Sequence, residues 1–278
     1  MSWGLVLSGG AACGISNAGV LQVLEAENLK PDAIAGSSMG AIIGAIYALG
    51  YDIDTLHTLL DGIKMSNIAQ VSGNPIKNGL HGGLMQQNLE HHLRNLLQDK
   101  RIGDCRIPFL CTAGRLKENI EWQRILQPNF TEYVFQRVEK HTFGPEVRIL
   151  DAIMASSAIP VLFSPASVEG ERYIDLCMFG AIPSLEMRQK QAPDIVIGTD
   201  TVPSYPIVSK LMPRPWHAFL QEGYAMLDES RKACDLVITP KLSASPFRFD
   251  KGNQFWKAGA QAATMQLGSI RTLLQNRA

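Results

Sequence analysis

The chain has 278 residues, of which 46% are apolar and 19% charged, and its 26 basic and 26 acidic side chains leave no net charge. An apolar fraction this high with so few charges excludes a disordered chain. Neutrality argues against a protein held on polyanions by counterion release, and the length suits one α/β domain spanning residues 1–278.

The N-terminus shows no targeting signal. No positively charged segment precedes an apolar stretch there, so we predict no secretory peptide. The longest apolar stretch, residues 41–49, is about half of the ~20 residues that a membrane span requires. The five cysteines are an odd number with no Cys-x-x-Cys pair, so we expect free thiols and a cytoplasmic location.

Strand–turn–helix units open the chain. Apolar strands at 5–7 and 33–35 each precede a glycine-rich turn and a helix, the second helix covering 41–49, which favours parallel strands with right-handed crossovers. Further helices are predicted at 54–64, 85–98, 147–157, 216–232 and 253–275, strands at 107–113, 173–174, 195–197 and 236–238, and a loop at 72–83. The order predicts an α/β fold, a three-layer α/β/α sandwich with a mainly parallel central sheet.

A serine stands at the turn between the second strand and its helix. Residues Gly36-Ser37-Ser38-Met39-Gly40 fit Gly-x-Ser-x-Gly, a strained turn that lifts the serine hydroxyl out of the sheet. The flanking glycines are expected where a Cβ would clash, and the helix directs free N–H groups towards an oxyanion formed there. Ser38 is therefore the candidate nucleophile.

The histidines supply no obvious base for this serine. They are residues 57, 81, 91, 92, 141 and 217. None follows a late strand, so a Ser-His-Asp triad has little support. His91 and His92 point about 100° apart on one helix and are not expected to share a metal. The loop after the first strand lacks a dinucleotide fingerprint and a P-loop lysine, so no cofactor is predicted.

Taken together, separate segments resemble the patatin-like phospholipases, especially the short bacterial type. Residues 9–14 are similar to the family's oxyanion loop, residues 36–40 to its nucleophile elbow and residues 155–160 to another landmark. Asp175 is similar to the family's distant aspartate. The resemblance spans about residues 4–200 in the right order, and we place no landmark beyond it.

The resemblance implies a patatin-like fold and a serine acyl-ester hydrolase with a Ser–Asp dyad, in which Ser38 attacks and Asp175 accepts its proton. The oxyanion hole is implied to use the backbone N–H groups of Gly9, Gly10, Ala11 and Met39. The implied substrate is a lipid or lysolipid ester, met in transient contact with a membrane, with no metal and no nucleic acid. Because aspartate has a reference pKa near ~3.9, the Asp175 site must be partly desolvated to act as a base.

Four positions of the oxyanion and aspartate loops depart from the family pattern. Ala11 replaces a loop glycine and Cys13 replaces the loop cation. After its aspartate the family has Gly and then Gly or Ala, whereas here Asp175 is followed by Leu176 and Cys177. We expect Ala11 to be tolerated if its φ is negative, and Leu176 to be strained if its position requires a positive φ. A relaxed aspartate loop predicts impaired hydrolysis.

These departures keep two alternatives open, a weakened, repurposed or redesigned scaffold and an acyltransferase to a non-water acceptor. Cys13 and Cys177 lie in loops expected to meet at the site, where a disulfide or a soft metal is a minor alternative to simple pocket filling.

Core packing is preferred over a lipid-facing lid for residues 211–219, and it is also predicted for Phe247, Phe249, Phe255 and Trp256. Without the loop cation, apolar contacts should dominate substrate binding, and small neutral esters are as plausible as phospholipids.

Overall fold

The computed structural model describes most of the chain. It covers residues 2–62, 90–91, 93–121, 123–124, 127, 129–160, 163–211 and 214–275. The helix predicted at 85–98 is observed at 90–91 and 93–97, and its other residues up to 92 lie outside the described part. The loop predicted at 72–83 also lies outside it.

Eight strands of the described chain form one sheet. They are β1 (Trp3–Leu7), β2 (Ala33–Ser37), β3 (Phe109–Leu116), β4 (Val138–Thr142), β5 (Ala166–Val168), β6 (Glu171–Ile174), β7 (Ile195–Thr199) and β8 (Leu236–Ile238). The order is β5-β6-β3-β2-β1-β7-β8, and β4 pairs with β3. Strands β3, β2, β1, β7 and β8 are parallel, whereas β4, β5 and β6 are antiparallel to their partners. The predicted mainly parallel sheet is confirmed.

Besides the partly described helix at 90–91 and 93–97, nine α-helices accompany the sheet in the described residues. They are α1 (Ser16–Ala26), α2 (Met39–Ala48), α3 (Ile53–Gly62), α4 (Phe130–Arg137), α5 (Ile149–Ser156), α6 (Ser184–Lys190), α7 (Tyr205–Leu211), α8 (His217–Lys232) and α9 (Gly252–Gln275). Short 3₁₀ turns include Ala11–Ile15, directly before α1, and Cys177–Phe179, after β6. No helix within the described ranges has both the length and the apolarity to cross a membrane.

Helices cover both faces of the sheet, because successive strand residues face opposite sides. Leu5 and Leu7 of β1 belong to a large core cluster with side chains from α1, α2, α5 and α9. Val6 between them belongs to a second cluster, with Met187 of α6 and Leu227 of α8. The three-layer sandwich is therefore confirmed.

Several short elements had no signal in the sequence. Strand β4 reads Val-Glu-Lys-His-Thr and has no fully buried residue, so it lacks the apolar run that identified the central strands. Strand β5 has three residues, and helices α6 and α7 have seven each, which is too short for a helical period to show.

Candidate active site

Ser38 lies on the turn between β2 and α2, in a backbone conformation that only a tight elbow produces. Its φ is 53° and its ψ is −125°, a region costly for any residue with a Cβ. A Cβ on Gly36 would lie 2.6 Å from the Gly40 oxygen, and one on Gly40 would lie 2.1 Å from the Leu7 oxygen. Both flanks must therefore be glycine for β1, β2 and α2 to approach this closely.

Asp175 follows β6 directly, and the sheet register brings it beside Ser38. Strand β2 pairs with β3 as far as Thr112, and β6 pairs with β3 from Gly114. The Ser38 side chain lies near enough to the Asp175 carboxylate to lower its pKa. The structure thus brings the two residues together from positions far apart in the chain.

The Asp175 carboxylate is buried but not isolated. Its exposed fraction is 4%, that of Ser38 is 6%, and the Cys177 N–H donates to its Oδ1 at 2.7 Å. Burial raises the pKa of Asp175 from 3.8 to about 6, and the nearby Ser38 side chain and the hydrogen bond from the Cys177 N–H limit the rise. A carboxylate with this pKa is ionised at neutral pH yet is a stronger base than an exposed aspartate.

Ser38 and Asp175 line a cavity of about 340 Å³, at the small end of the range for ligand pockets. Its wall is mainly apolar, with aromatic side chains from Phe135, Phe179, Trp216, Phe219 and Phe247. Among the described lining residues, the charged or hydroxyl-bearing side chains are those of Ser38, Lys140 and Asp175. The site therefore combines one hydroxyl–carboxylate pair with a hydrophobic chamber.

No histidine of the described chain lines this cavity. The described histidines are His57, His91, His141 and His217, and the other two lie outside the described residues. The same described ranges contain no group of three or more His, Cys, Asp or Glu side chains placed to hold a metal ion. Asp175 is thus the base candidate that the geometry supplies.

The loop after β1 packs against the nucleophile. The Gly9 N–H donates to the Ala181 oxygen at 2.9 Å, so the prediction that Gly9 contributes an oxyanion donor is wrong. Gly9 instead permits close approach, because a Cβ there would lie 3.1 Å from the Ser38 Cβ. Within the described chain, the N–H groups of Gly10, Ala11 and Met39 donate to no protein acceptor. These three groups are the available oxyanion donors.

Two residues of this loop have positive φ. Gly10 has φ 157°, and a Cβ there would lie 2.4 Å from the Thr201 oxygen, so only glycine fits. Ala11 has φ 49°, in the left-handed region, so the condition on which Ala11 was expected to be tolerated, a negative φ, is not met. Ala11 is therefore accommodated with backbone strain.

Ala11→Gly is expected to raise the free energy of unfolding by about 1 kcal/mol, because glycine adopts this φ without strain. Ala12 is the matched control, since it is fully buried in the same turn and has no positive φ. Ala12→Gly should lower the free energy of unfolding by about 1 kcal/mol. Urea unfolding of both variants checks the pair, and shifts of the same sign would contradict the assignment of strain to Ala11.

The loop after Asp175 differs from the expectation. Leu176 has φ −72°, so its position does not require a positive φ and the strain expected in that case does not arise. The positive φ falls one residue later, on Cys177 at 50°. This geometry turns the Cys177 N–H back onto the carboxylate, so the strained residue holds Asp175 in place.

The two loop cysteines have separate environments and are both free. Cys13 is fully buried in the large core cluster, its Sγ 3.8 Å from the Ala244 oxygen, whereas Cys177 lines the cavity. The disulfide alternative is therefore wrong, and the buried Cys13 agrees with the preferred interpretation of simple pocket filling. Burial raises the pKa of Cys13 to about 12, and burial followed by the Asp175 charge raises the pKa of Cys177 well above its usual value. Both thiols stay protonated at neutral pH.

Part of the cavity wall comes from beyond the region of family resemblance. Trp216, Phe219 and Phe247 line the cavity, so the prediction of ordinary core packing is wrong for them. That prediction is confirmed for the other late aromatic residues, Phe249, Phe255 and Trp256. Residues 212–213 of the same segment lie outside the described chain. The proline-flanked aromatic run at 211–219 was the signal for this wall.

A lysine on β4 brings a positive charge to the cavity. The Lys140 Nζ lies 3.0 Å from Oε1 of Glu186 on α6, a side chain that is nearly buried. The sequence carried no signal for this cation, because Lys140 lies on the unpredicted strand β4. Its charge is offset by Glu186, so among the described lining residues no cation is left without a counter-charge.

Comparison with known proteins matches this arrangement to one family. A sequence model described as "Patatin-like phospholipase" matches residues 5–175. The chain is 26% identical over 192 residues to Lysophospholipase NTE1 of Saccharomyces cerevisiae, and 27% over 199 residues to that of Yarrowia lipolytica. The alignments cover 67% and 71% of this chain, but 10% and 12% of the relatives. The chain thus spans about a tenth of their length.

Solved structures of similar fold extend the likeness to nearly the whole chain. VipD from Legionella pneumophila has a TM-score of 0.55 at 15% identity, covering 96% of this chain and 67% of VipD. Human GIVD cytosolic phospholipase A2 has a TM-score of 0.51 at 14% identity, covering 91% of this chain and 47% of that chain. At these identities the likeness shows a shared fold.

Proposed function

The matched segment is more than half of the chain, which therefore belongs to the patatin-like phospholipase family, and from this premise we propose that it is a serine acyl-ester hydrolase. One observation carries the proposal, the placement of the Ser38 side chain beside the buried Asp175 carboxylate in a largely apolar cavity. Similarity to lysophospholipases supports a lipid acyl ester as the substrate class.

In the proposed mechanism, Ser38 Oγ attacks the ester carbonyl carbon while its proton passes to Asp175. The N–H groups of Gly10, Ala11 and Met39 stabilise the oxyanion, and the N-terminal end of α2 adds its dipole. Protonated Asp175 then gives its proton to the leaving alkoxide, which departs and leaves the acyl-enzyme. Water attacks the acyl-enzyme with Asp175 again as base, and the fatty acid is released as Ser38 regains its proton.

The cavity supports recognition by apolar contact rather than by charge. Its one described cation, Lys140, already pairs with Glu186, so an anionic head group gains little there. The aromatic wall accepts an acyl chain beside Ser38. We therefore propose that neutral esters and lysolipids are both hydrolysed, with the acyl chain as the main determinant.

We also propose a transient contact between the cavity entrance and a lipid surface. Phe135 and Phe247 both line the cavity and are 40% and 39% exposed, which is unusual for side chains of this size.

The odd number of cysteines supports a cytoplasmic location. Residues from Gly9 to Phe247 line one cavity, which supports a single hydrolase domain.

For a series of p-nitrophenyl esters of increasing acyl length, we expect kcat/KM to rise about fourfold for each added methylene until the cavity is full. The reason is that burying one methylene stabilises the bound transition state by about 0.8 kcal/mol. A decrease of ~1.36 kcal/mol in the activation free energy raises the rate tenfold. Initial rates against ester concentration give the series. A value of kcat/KM independent of chain length would contradict an acyl-binding cavity.

Product analysis distinguishes hydrolysis from the alternatives. With a lipid ester in water, the proposal predicts free fatty acid as the main product, even when alcohol or thiol acceptors are added. An acylated acceptor as the main product would identify a transferase, and no turnover of any ester would identify an inactive scaffold.

A further inference from the structure

The strained backbone of Ser38 is held from two sides. Conformations of this kind persist only when surrounding contacts determine them. On the carbonyl side, the Ser38 oxygen accepts the N–H groups of Ala41 and Ile42 at 2.9 and 3.1 Å, as the first turn of α2 forms. On the amide side, the Ser38 N–H donates to Oγ of Ser156 at 2.7 Å. The amide side therefore depends on one side-chain oxygen.

Ser156 is the last residue of α5 and is fully buried. Its hydroxyl donates to the Thr112 backbone oxygen of β3 at 2.7 Å, and a carbonyl oxygen can only accept. The single hydroxyl proton is thus committed to Thr112, which leaves the Oγ lone pairs for the Ser38 N–H. One oxygen links β3, α5 and the elbow.

We propose that Ser156 is a positioning residue that sets the direction of the Ser38 side chain, an inference that rests on the proposed function of Ser38. The Ser156 side chain does not line the cavity, so it acts through the Ser38 backbone and not on the substrate. Without its oxygen, the buried Ser38 N–H has no acceptor and the elbow relaxes. Ser38 Oγ then points away from Asp175 and from the N–H groups of Gly10, Ala11 and Met39.

The neighbouring Ser157 offers a matched control. It is also buried, at the end of the same helix, and its Oγ has no hydrogen-bond partner among the described residues. Ser157 does not line the cavity. Serine-to-alanine substitution removes one hydroxyl at either of these adjacent buried positions. Only the Ser156 hydroxyl accepts the N–H of the nucleophile Ser38.

The test compares wild type, Ser156→Ala, Ser157→Ala and Ser156→Thr by ester kinetics and by the rate of covalent labelling with a fluorophosphonate, after thermal unfolding has shown that each is folded. We expect Ser156→Ala to lower kcat and the labelling rate about 100-fold with KM within about twofold. Ser157→Ala should stay within about threefold of wild type. Ser156→Thr keeps the hydroxyl, so its kcat and labelling rate should be at least about tenfold higher than those of Ser156→Ala. If Ser156→Ala does not fold, Ser156→Cys, whose sulfur is a weak acceptor, takes its place with the same expected loss.

Labelling of Ser156→Ala at the wild-type rate would overturn the inference and leave the proposed function intact. Equal losses in Ser156→Ala and Ser157→Ala would also overturn it, because any buried hydroxyl would then matter equally. Failure of the wild type itself to label would instead overturn the proposed function of Ser38. The outcomes therefore separate the two claims.

Discussion

Replacing Ser38 with alanine is expected to lower kcat for ester hydrolysis by at least about 10⁴-fold, because no other oxygen nucleophile stands beside Asp175 in the described cavity wall. The apolar wall is unchanged by the substitution, so binding of the acyl chain, measured with a product fatty acid, should be retained. Steady-state kinetics of purified protein check the result. Residual kcat above about 1% of wild type would contradict the nucleophile assignment.

A second substitution at the same position separates chemistry from backbone strain. Ser38→Gly should be equally inactive, but its free energy of unfolding should exceed that of Ser38→Ala by about 1–2 kcal/mol, because glycine adopts φ 53° without strain. Urea unfolding of the two inactive variants measures the difference. Equal stabilities would show that the elbow conformation of Ser38 is not strained.

The second large effect is expected for Asp175→Asn, which should lower kcat/KM about 10²–10⁴-fold by removing the base. Because the pKa of Asp175 is about 6, the wild-type rate should fall about tenfold for each unit of pH below 6 and level off above it. The variant should lose this dependence. Rates measured from pH 4.5 to 8.5 test both points, with the exposed Asp99→Asn as a control that leaves the profile unchanged.

The same substitution should stabilise the fold at neutral pH. The pKa of Asp175 is higher in the folded protein than its ordinary value of 3.8, so the folded state binds the proton more tightly. Stability from this group is full below about pH 4 and is lost as the pH rises through about 6. A rise from 3.8 to about 6 corresponds to about 3 kcal/mol at most, so Asp175→Asn should gain about 1–3 kcal/mol at pH 7.5 and little at pH 4. A loss of stability at pH 7.5 would contradict this account of the buried charge.

The central fold could be predicted because its signals are local. Strands β1, β2 and β7 are buried on both faces and are therefore short apolar runs in the sequence. Each glycine of the elbow is required because a nearby backbone atom leaves no room for a Cβ. Asp175 had no such local signal. Its place beside Ser38 depends on the pairing of both β2 and β6 with β3, a long-range register that only the family resemblance anticipated.

The errors arise where backbone angles or long-range contacts decide the outcome. The sequence pattern located a departure at Leu176 and Cys177 but could not tell which residue takes the positive φ. Likewise, the Gly9 N–H could not be excluded as a donor before its partner, the Ala181 oxygen, was known. Lys140 comes from β4, which has no apolar run, and Trp216, Phe219 and Phe247 come from segments after residue 200, beyond the family motifs.

The most direct test of the account is to locate the adduct of a fluorophosphonate on the wild-type protein by peptide mass spectrometry. One adduct is expected, on Ser38, formed at least about 100-fold more slowly in Asp175→Asn and absent in Ser38→Ala. An adduct on another residue, or no adduct on the folded protein, would contradict the claim that Ser38 and Asp175 form the catalytic pair.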